Sequence, residues 1–302
     1  MTSTIPRPSG TETMSTRTIV VGRHDDGRPR RGAPAARIAI GIGLVAASIV
    51  QLLPFYIAVT TALKPRTDLS SQWLPPTEIY WENFVNAIAR GNVLGAIGNS
   101  AIVTGVSTVL VCVLGALAAY PLARRTTIAN RTVMLVMIGL IMVPPLSILV
   151  PLYTMLNGLQ AVNTYWGTIL VMVAMQLPLS VFLYTAFMRG LPVSIEEAAS
   201  VDGAGPVRIL FQVVVPMLKP VTATVAILTG VAVWNEYALS VYLMRAPEMR
   251  TIAPAIGTFF ASSGSDLGAA AAAALISVIP VLAVYLMLQR YFIKGMVAGA
   301  EK

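Results

Sequence analysis

Six long apolar stretches punctuate the chain, at roughly 38–63, 99–121, 132–156, 167–189, 221–244 and 267–290. Each runs about 20 residues or more, the length an α-helix needs to cross ~30 Å of hydrocarbon. The pattern predicts an all-α, polytopic membrane protein with six transmembrane helices. Loop charges orient it, because Lys and Arg concentrate on the cytoplasmic side. A cytoplasmic N-terminus puts Arg124, Arg125, Arg131, Arg189, Arg208, Lys219, Arg290 and Lys294 inside, with the tail arginines. It leaves only Lys64, Arg66, Arg90, Arg245 and Arg250 outside. Both termini are therefore predicted to be cytoplasmic, in the cell (inner, cytoplasmic) membrane.

Composition agrees with a lipid solvent. The 302 residues are 56% hydrophobic and 11% charged, and mean hydropathy is +0.75. A soluble domain carries roughly 25% charge. The net charge of +8 lies mostly at the termini and in short loops, so it does not imply nucleic acid. The one cysteine, Cys112, excludes an intrachain disulfide, and the one histidine, His24, leaves no histidine cluster for a metal. Residues 1–37 read as a disordered basic cytoplasmic tail without the apolar region of a signal peptide. Met14 offers a second start. Residues 38–302 form the transmembrane domain.

The longest outer loop, 64–98, holds Trp73, Tyr80 and Trp81, suited to an interfacial aromatic belt. Residues 78–90 fit either a short surface helix or an ordered loop cap. Pro54, Pro144, Pro145, Pro151, Pro178 and Pro280 fall within spans. Each removes a backbone donor and kinks its helix, either for packing or as a hinge around a translocation path. The Ala-rich run 269–274 offers close helix approach.

The cytoplasmic loop 190–220 breaks the pattern of simple connections. Ser194 and Glu197 have capping-box spacing, which predicts a short helix starting there. Gly203 and Gly205 stop it, and Pro206 suits the first turn of another. Glu197-Ala198-Ala199, three residues, Gly203, nine residues and Val213-Val214-Val215-Pro216 resemble the EAA motif of binding-protein-dependent ABC importer permeases. Val213 and Val215 replace the usual Ile and Leu. The resemblance covers roughly 50–302 and points to the carbohydrate-uptake, MalG-type branch. It includes Leu63-Lys64-Pro65, Leu74-Pro75-Pro76, Asn99-Ser100, Ala118-Ala119-Tyr120, Pro151-Leu152-Tyr153, Asn163-Thr164-Tyr165-Trp166-Gly167, Asp202-Gly203-Ala204, Trp234-Asn235-Glu236-Tyr237 and Gly295 with Ala298-Gly299-Ala300.

The resemblance implies the type I ABC importer permease fold and a coupling helix from Ser194 to Gly203 seated in a cleft of an ATPase subunit. Glu197 would pair with a basic ATPase residue, and Gly203 would let the turn approach the ATPase backbone. Ala198, Ala199, Asp202, Ala204 and Pro216 complete the coupling motif. It further implies a second homologous permease, an ATPase dimer, an extracytoplasmic solute-binding protein and a sugar substrate. The chain has no G-x-x-x-x-G-K-[ST] sequence, hence no P-loop of its own. It is read as a transport subunit and not an enzyme, without a cofactor, and ATP and Mg belong to the partner ATPase.

Glu236 is the one acid inside an apolar stretch, with Asn235 beside it. Trp234 and Tyr237 are expected near one helix face, and Asn235 and Tyr242 on another. Aromatic faces with amides and carboxylates suit sugars, so these five are candidate substrate-path residues. The structural reading has Asn235 and Glu236 bonding backbone carbonyls freed at kinks. Two alternative functions stay open: an ABC permease for a non-sugar solute, and an ion-coupled secondary transporter.

Overall fold

The computed structural model describes residues 34–68, 70–261 and 266–300. The basic tail lies outside the described residues up to residue 33, so its expected disorder falls there too. Every regular element among the described residues is helical. The chain clusters into two units that divide after Gln51. The first contributes the opening of α1 (Pro34–Ala62), where Ile38, Ile40, Ile42 and Leu44 are all more than 60% exposed. An apolar helix uncovered on all sides is suited to lipid.

In the second unit α2 (Glu82–Gly91) is the short helix that residues 78–90 allowed. The chain continues as α3 (Val93–Arg124), α4 (Ile128–Ile141), α5 (Leu149–Gly158), α6 (Tyr165–Arg189), α7 (Ser194–Val201) and α8 (Pro206–Ile209). A π-turn at Leu210–Val214 leads into α9 (Val215–Met217). Then come α10 (Lys219–Trp234), α11 (Ser240–Leu243), α12 (Ile252–Ala261) and α13 (Leu267–Ala300).

Ile38–Ala62, Val93–Arg124, Tyr165–Arg189 and Leu267–Met287 are long and apolar enough to cross a membrane unbroken. The third and fifth predicted spans differ from expectation. The third is α4 plus the arm Pro145–Gly158, bent by 96°. Pro144 is extended at φ −64 and ψ 129, and a proline disfavours helix in the residue before it. The fifth falls on α10, which joins the arm Pro206–Met217 of loop 190–220 at a 72° bend at Leu218, between Pro216 and Pro220. Counting each bent pair as one span gives six. The predicted fifth span, 221–244, overshoots, because α10 ends at Trp234.

Packing joins these helices closely. A Cβ on Gly115 of α3 would sit 2.0 Å from Ser180 Oγ and 3.1 Å from Ser180 Cβ of α6, so a larger residue here forces Ser180 to shift. Ser180 Oγ donates across the seam to the Val111 carbonyl at 3.1 Å. On the loop-190 side, Tyr184, Met188, Ile209, Val214 and Leu218 form one buried cluster. At the other end Ala269, Ala270, Ala272 and Ala273 pack with Trp234, Ile252 and Phe259. Small residues there let α13 approach its neighbours, as the Ala-rich run suggested.

Polar bonds lock the segment between α1 and α2. Asn83 Nδ2 donates to the carbonyls of Ala62 (2.9 Å) and Lys64 (2.8 Å), two groups left open where α1 ends. Lys64 is buried, and its ammonium reaches Ser70 Oγ at 2.7 Å and the Ser71 carbonyl at 2.9 Å. Arg66 pairs with Asp266, which also accepts the Ala269 N–H at the start of α13.

Candidate functional site

Two regions carry the chemistry: the loop around α7 and the turns around α11. In the first, α7 runs over eight residues. Ser194 is not its cap. The helix starts at Ser194 as expected, but Val193 holds the cap position, with φ −67 and ψ −27 and no side-chain bond, so the expected capping box does not form. The end is as expected. Gly203 takes φ +80, its N–H donates to the Ser200 carbonyl, and the Ala204 N–H donates to the Ala199 carbonyl, each at 3.0 Å. This is the Schellman closure, in which a left-handed residue satisfies the last carbonyls. Pro206 opens α8 at a position where no N–H is needed.

The two alanines of the motif face different ways. Ala199 and Ala204 are half-buried against the Tyr184–Leu218 cluster, while Ala198 is exposed. Glu197, Val201, Asp202 and Gly203 are exposed as well. Pro216, also exposed, sits at the start of α9 after the π-turn, where the Val215 N–H reaches back to the Leu210 carbonyl. Sequence reasoning passed over Glu196. Its carboxylate is half-buried and accepts Arg124 Nε at 2.8 Å and the Tyr120 hydroxyl at 3.0 Å. The available signal was the acidic doublet itself, since two adjacent helix positions cannot face the same surroundings.

In the second region the five candidate path residues do not come together. Trp234 is buried at the end of α10. Asn235 bonds through Nδ2 to the Val231 carbonyl at 2.8 Å. Glu236 is not inside a span: it lies past the end of α10. Its two oxygens accept the N–H groups of Leu239 and Ser240, both at 2.8 Å, and cap α11. Asn235 meets a carbonyl of its own helix end, whereas Glu236 accepts N–H groups and meets no carbonyl. Tyr237 and Tyr242 are exposed. The helical faces assigned to these residues do not exist, because the helix stops at Asn235.

Of the five, Tyr237 lines a cavity of about 770 Å³. Tyr153, Asn157, Gln160, Arg245, Arg250 and Thr258 share its wall. Its frame is rigid. Asn163 Oδ1 accepts the N–H groups of Arg245 (2.7 Å) and Ala246 (2.9 Å). Asn99 Nδ2 donates to the carbonyls of Glu248 (2.8 Å) and Arg250 (2.9 Å), and Tyr165 donates to Asn99 Oδ1 at 2.7 Å. Ser100 Oγ accepts the Ile252 N–H at 2.8 Å. No set of three metal-ligating side chains occurs among the described residues.

Residues 111–298 match the family described as "Binding-protein-dependent transport system inner membrane component". The chain belongs to that family. The permease is 40% identical over 264 residues to the melibiose/raffinose/stachyose import permease protein MelC of Bacillus subtilis (strain 168), covering 86% of this chain and 96% of MelC. It is 32% identical to the trehalose transport system permease protein SugB of Mycobacterium tuberculosis (strain CDC 1551 / Oshkosh), covering 83% and 92%. A solved bacterial ABC transporter involved in the import of the acidic polysaccharide alginate shares the fold. The TM-score is 0.70 at 20% identity, over 86% of this chain and 98% of that one. The permease is thus a multi-pass membrane component of an importer.

Proposed function

We propose that this chain is one permease subunit of an ATP-driven sugar importer, working with a second homologous permease, an ATPase dimer and an extracytoplasmic solute-binding protein. Loop 190–220 faces the cytoplasm with both termini, and α7 is the coupling helix. ATP and Mg are bound by the ATPase, and this chain contributes no nucleotide site. The observation that carries the reading is the split surface of α7. Its inner side is held by Ala199, with Ala204 just past its end, while Glu197, Ala198, Val201 and the C-cap Asp202 stand exposed for a partner.

Relatives that import melibiose, raffinose, stachyose and trehalose support a sugar as cargo. The outer cavity suits it, with two tyrosine rings, amides and guanidinium donors on a fixed frame. We place the outer mouth of the path there, with Tyr237 in its wall. The ion-coupled alternative loses its one candidate group, because no Asp or Glu lies within a candidate span among the described residues.

Purifying the tagged chain gently from its own membrane, followed by mass spectrometry, tests this. A Walker-motif ATPase and a second multi-span permease are expected to come with it. A chain that purifies alone, and whose loop variants still import sugar, overturns the proposal.

A further inference from the structure

The adjacent carboxylates Glu196 and Glu197 sit in different surroundings. Glu197 points away from the protein, whereas the Glu196 side chain is only 12% exposed. Its partner Arg124, at the last turn of α3, is 14% exposed and uses both arms. Nε donates to Glu196 Oε1 at 2.8 Å, and Nη1 donates to the Met188 carbonyl at 2.8 Å, in the last turn of α6. Tyr120, one turn earlier in α3, donates to the other Glu196 oxygen at 3.0 Å. Arg189 of α6 returns a bond to the Leu122 carbonyl of α3 at 3.2 Å. The ends of α3 and α6 are therefore braced to each other, and α7 is fastened to that brace through one carboxylate.

A rigid fork suits this task. Guanidinium is planar and always charged, and its donors point in fixed directions, so a shift of Glu196 must carry Arg124 with it. The apolar contacts of α7 cannot do the same. Ala199 and Ala204 are small and half-buried, and such a surface allows sliding. The helix is only about 12 Å long, so it moves as one body.

We propose that Glu196 and Arg124 form the joint that passes movement of α7 to α3 and α6, with Glu196 a positioning residue and Glu197 the residue that meets the ATPase. The inference rests on the reading of α7 as the coupling helix. It divides the two acids of the doublet between two jobs: one carboxylate receives the motion, and its neighbour delivers it to the spans.

The test uses the whole complex reconstituted in vesicles with its binding protein. The variants are Glu196→Gln, Arg124→Gln, Arg124→Lys and the double exchange Glu196→Arg with Arg124→Glu. Three quantities are read: ATPase retained on purification, ATP hydrolysed, and sugar imported per ATP. Glu196→Gln and Arg124→Gln are expected to keep the ATPase bound and hydrolysing while sugar per ATP falls about fivefold. Arg124→Lys, which keeps the charge but loses the fork, is expected to fall between these and the wild type. The double exchange restores attraction across the joint and is expected to exceed either single variant. Unchanged sugar per ATP in both Gln variants overturns the joint. So does loss of the bound ATPase, which would make Glu196 a docking residue, or a double exchange no better than its parts. If the wild-type chain itself holds no ATPase, the reading of α7 fails first, and the joint with it.

Discussion

The side-chain carbonyl of Asn163 accepts the backbone N–H of Arg245 at 2.7 Å, fastening the turn before α6 to the turn after α11. Asn163 also adopts φ 57, a left-handed geometry that asparagine tolerates better than most residues. Two effects therefore separate by mutation. Asn163→Gly keeps the backbone and loses the staple, which costs about 1 kcal/mol because water reaches both N–H groups. Asn163→Leu adds a left-handed penalty of about 1–2 kcal/mol. Thermal unfolding of the purified complex is expected to rank wild type above Gly above Leu. Equal melting of the two variants would show that backbone geometry contributes nothing here.

Gly203 provides a second backbone test. A Cβ added there meets no atom within 4 Å, so the cost of Gly203→Ala is conformational alone. At φ +80 that cost is about 1 kcal/mol. Gly203→Asn is expected to lose less than Ala, since asparagine also serves at this position of helix ends. Proteolysis of the 190–220 loop in membranes reads the difference. Ala matching glycine in resistance would refute a closure that depends on the left-handed residue.

The motif pieces were visible in the sequence, but their reasons were not. Asn99-Ser100 and Asn163 stood out as resemblances. Only the folded chain reveals that they hold the segment 245–252, through partners 149 and 82 residues away. The joint was hidden for the same cause, because Arg124 and Glu196 are 72 residues apart and no local pattern links them. Hydropathy found the apolar stretches because lipid demands length and apolarity, and it misread the fifth because Tyr237 to Met244 are apolar enough to pass as a helix. The backbone there turns instead, under the Glu236 carboxylate. Glycine and proline marked the loop correctly, since their effects are local. The capping box failed because Val193, not Ser194, takes the cap position, and it has no side-chain oxygen to offer.

Asp266 makes the junction of α13 with the segment after α1 sensitive to acid. Burial pushes its carboxyl up, but the hydrogen bond from Arg66, the Ala269 N–H and the charges of Arg66 and Arg90 outweigh it, leaving it below the usual carboxylate range. A group with a lowered folded value stabilises the fold fully above its unfolded value of about 3.9 and loses that contribution as pH falls through the folded value. Its contribution should therefore be flat from roughly pH 5 to 8 and disappear only in stronger acid. The melting difference between wild type and Asp266→Asn is expected to hold across neutral pH and to close below about pH 4. A gap that instead opens as pH falls would contradict the pairing with Arg66.

Glu197→Lys separates folding from coupling. The side chain is exposed, so a surface substitution should change stability by no more than about 0.5 kcal/mol. The spans should insert normally, and the half-buried Glu196 next to it should keep Arg124. What changes is the charge offered to the ATPase. A lysine facing a basic partner replaces attraction with like-charge repulsion, which disturbs register more than any loss of area. Sugar uptake is expected to fall at least about tenfold, equivalent to ~1.4 kcal/mol of lost coupling, while ATP hydrolysis continues. Glu197→Gln, which removes the charge without reversing it, should fall between. Vesicle uptake measured alongside phosphate release checks both together, and normal uptake by the Lys variant would remove α7 from the coupling path.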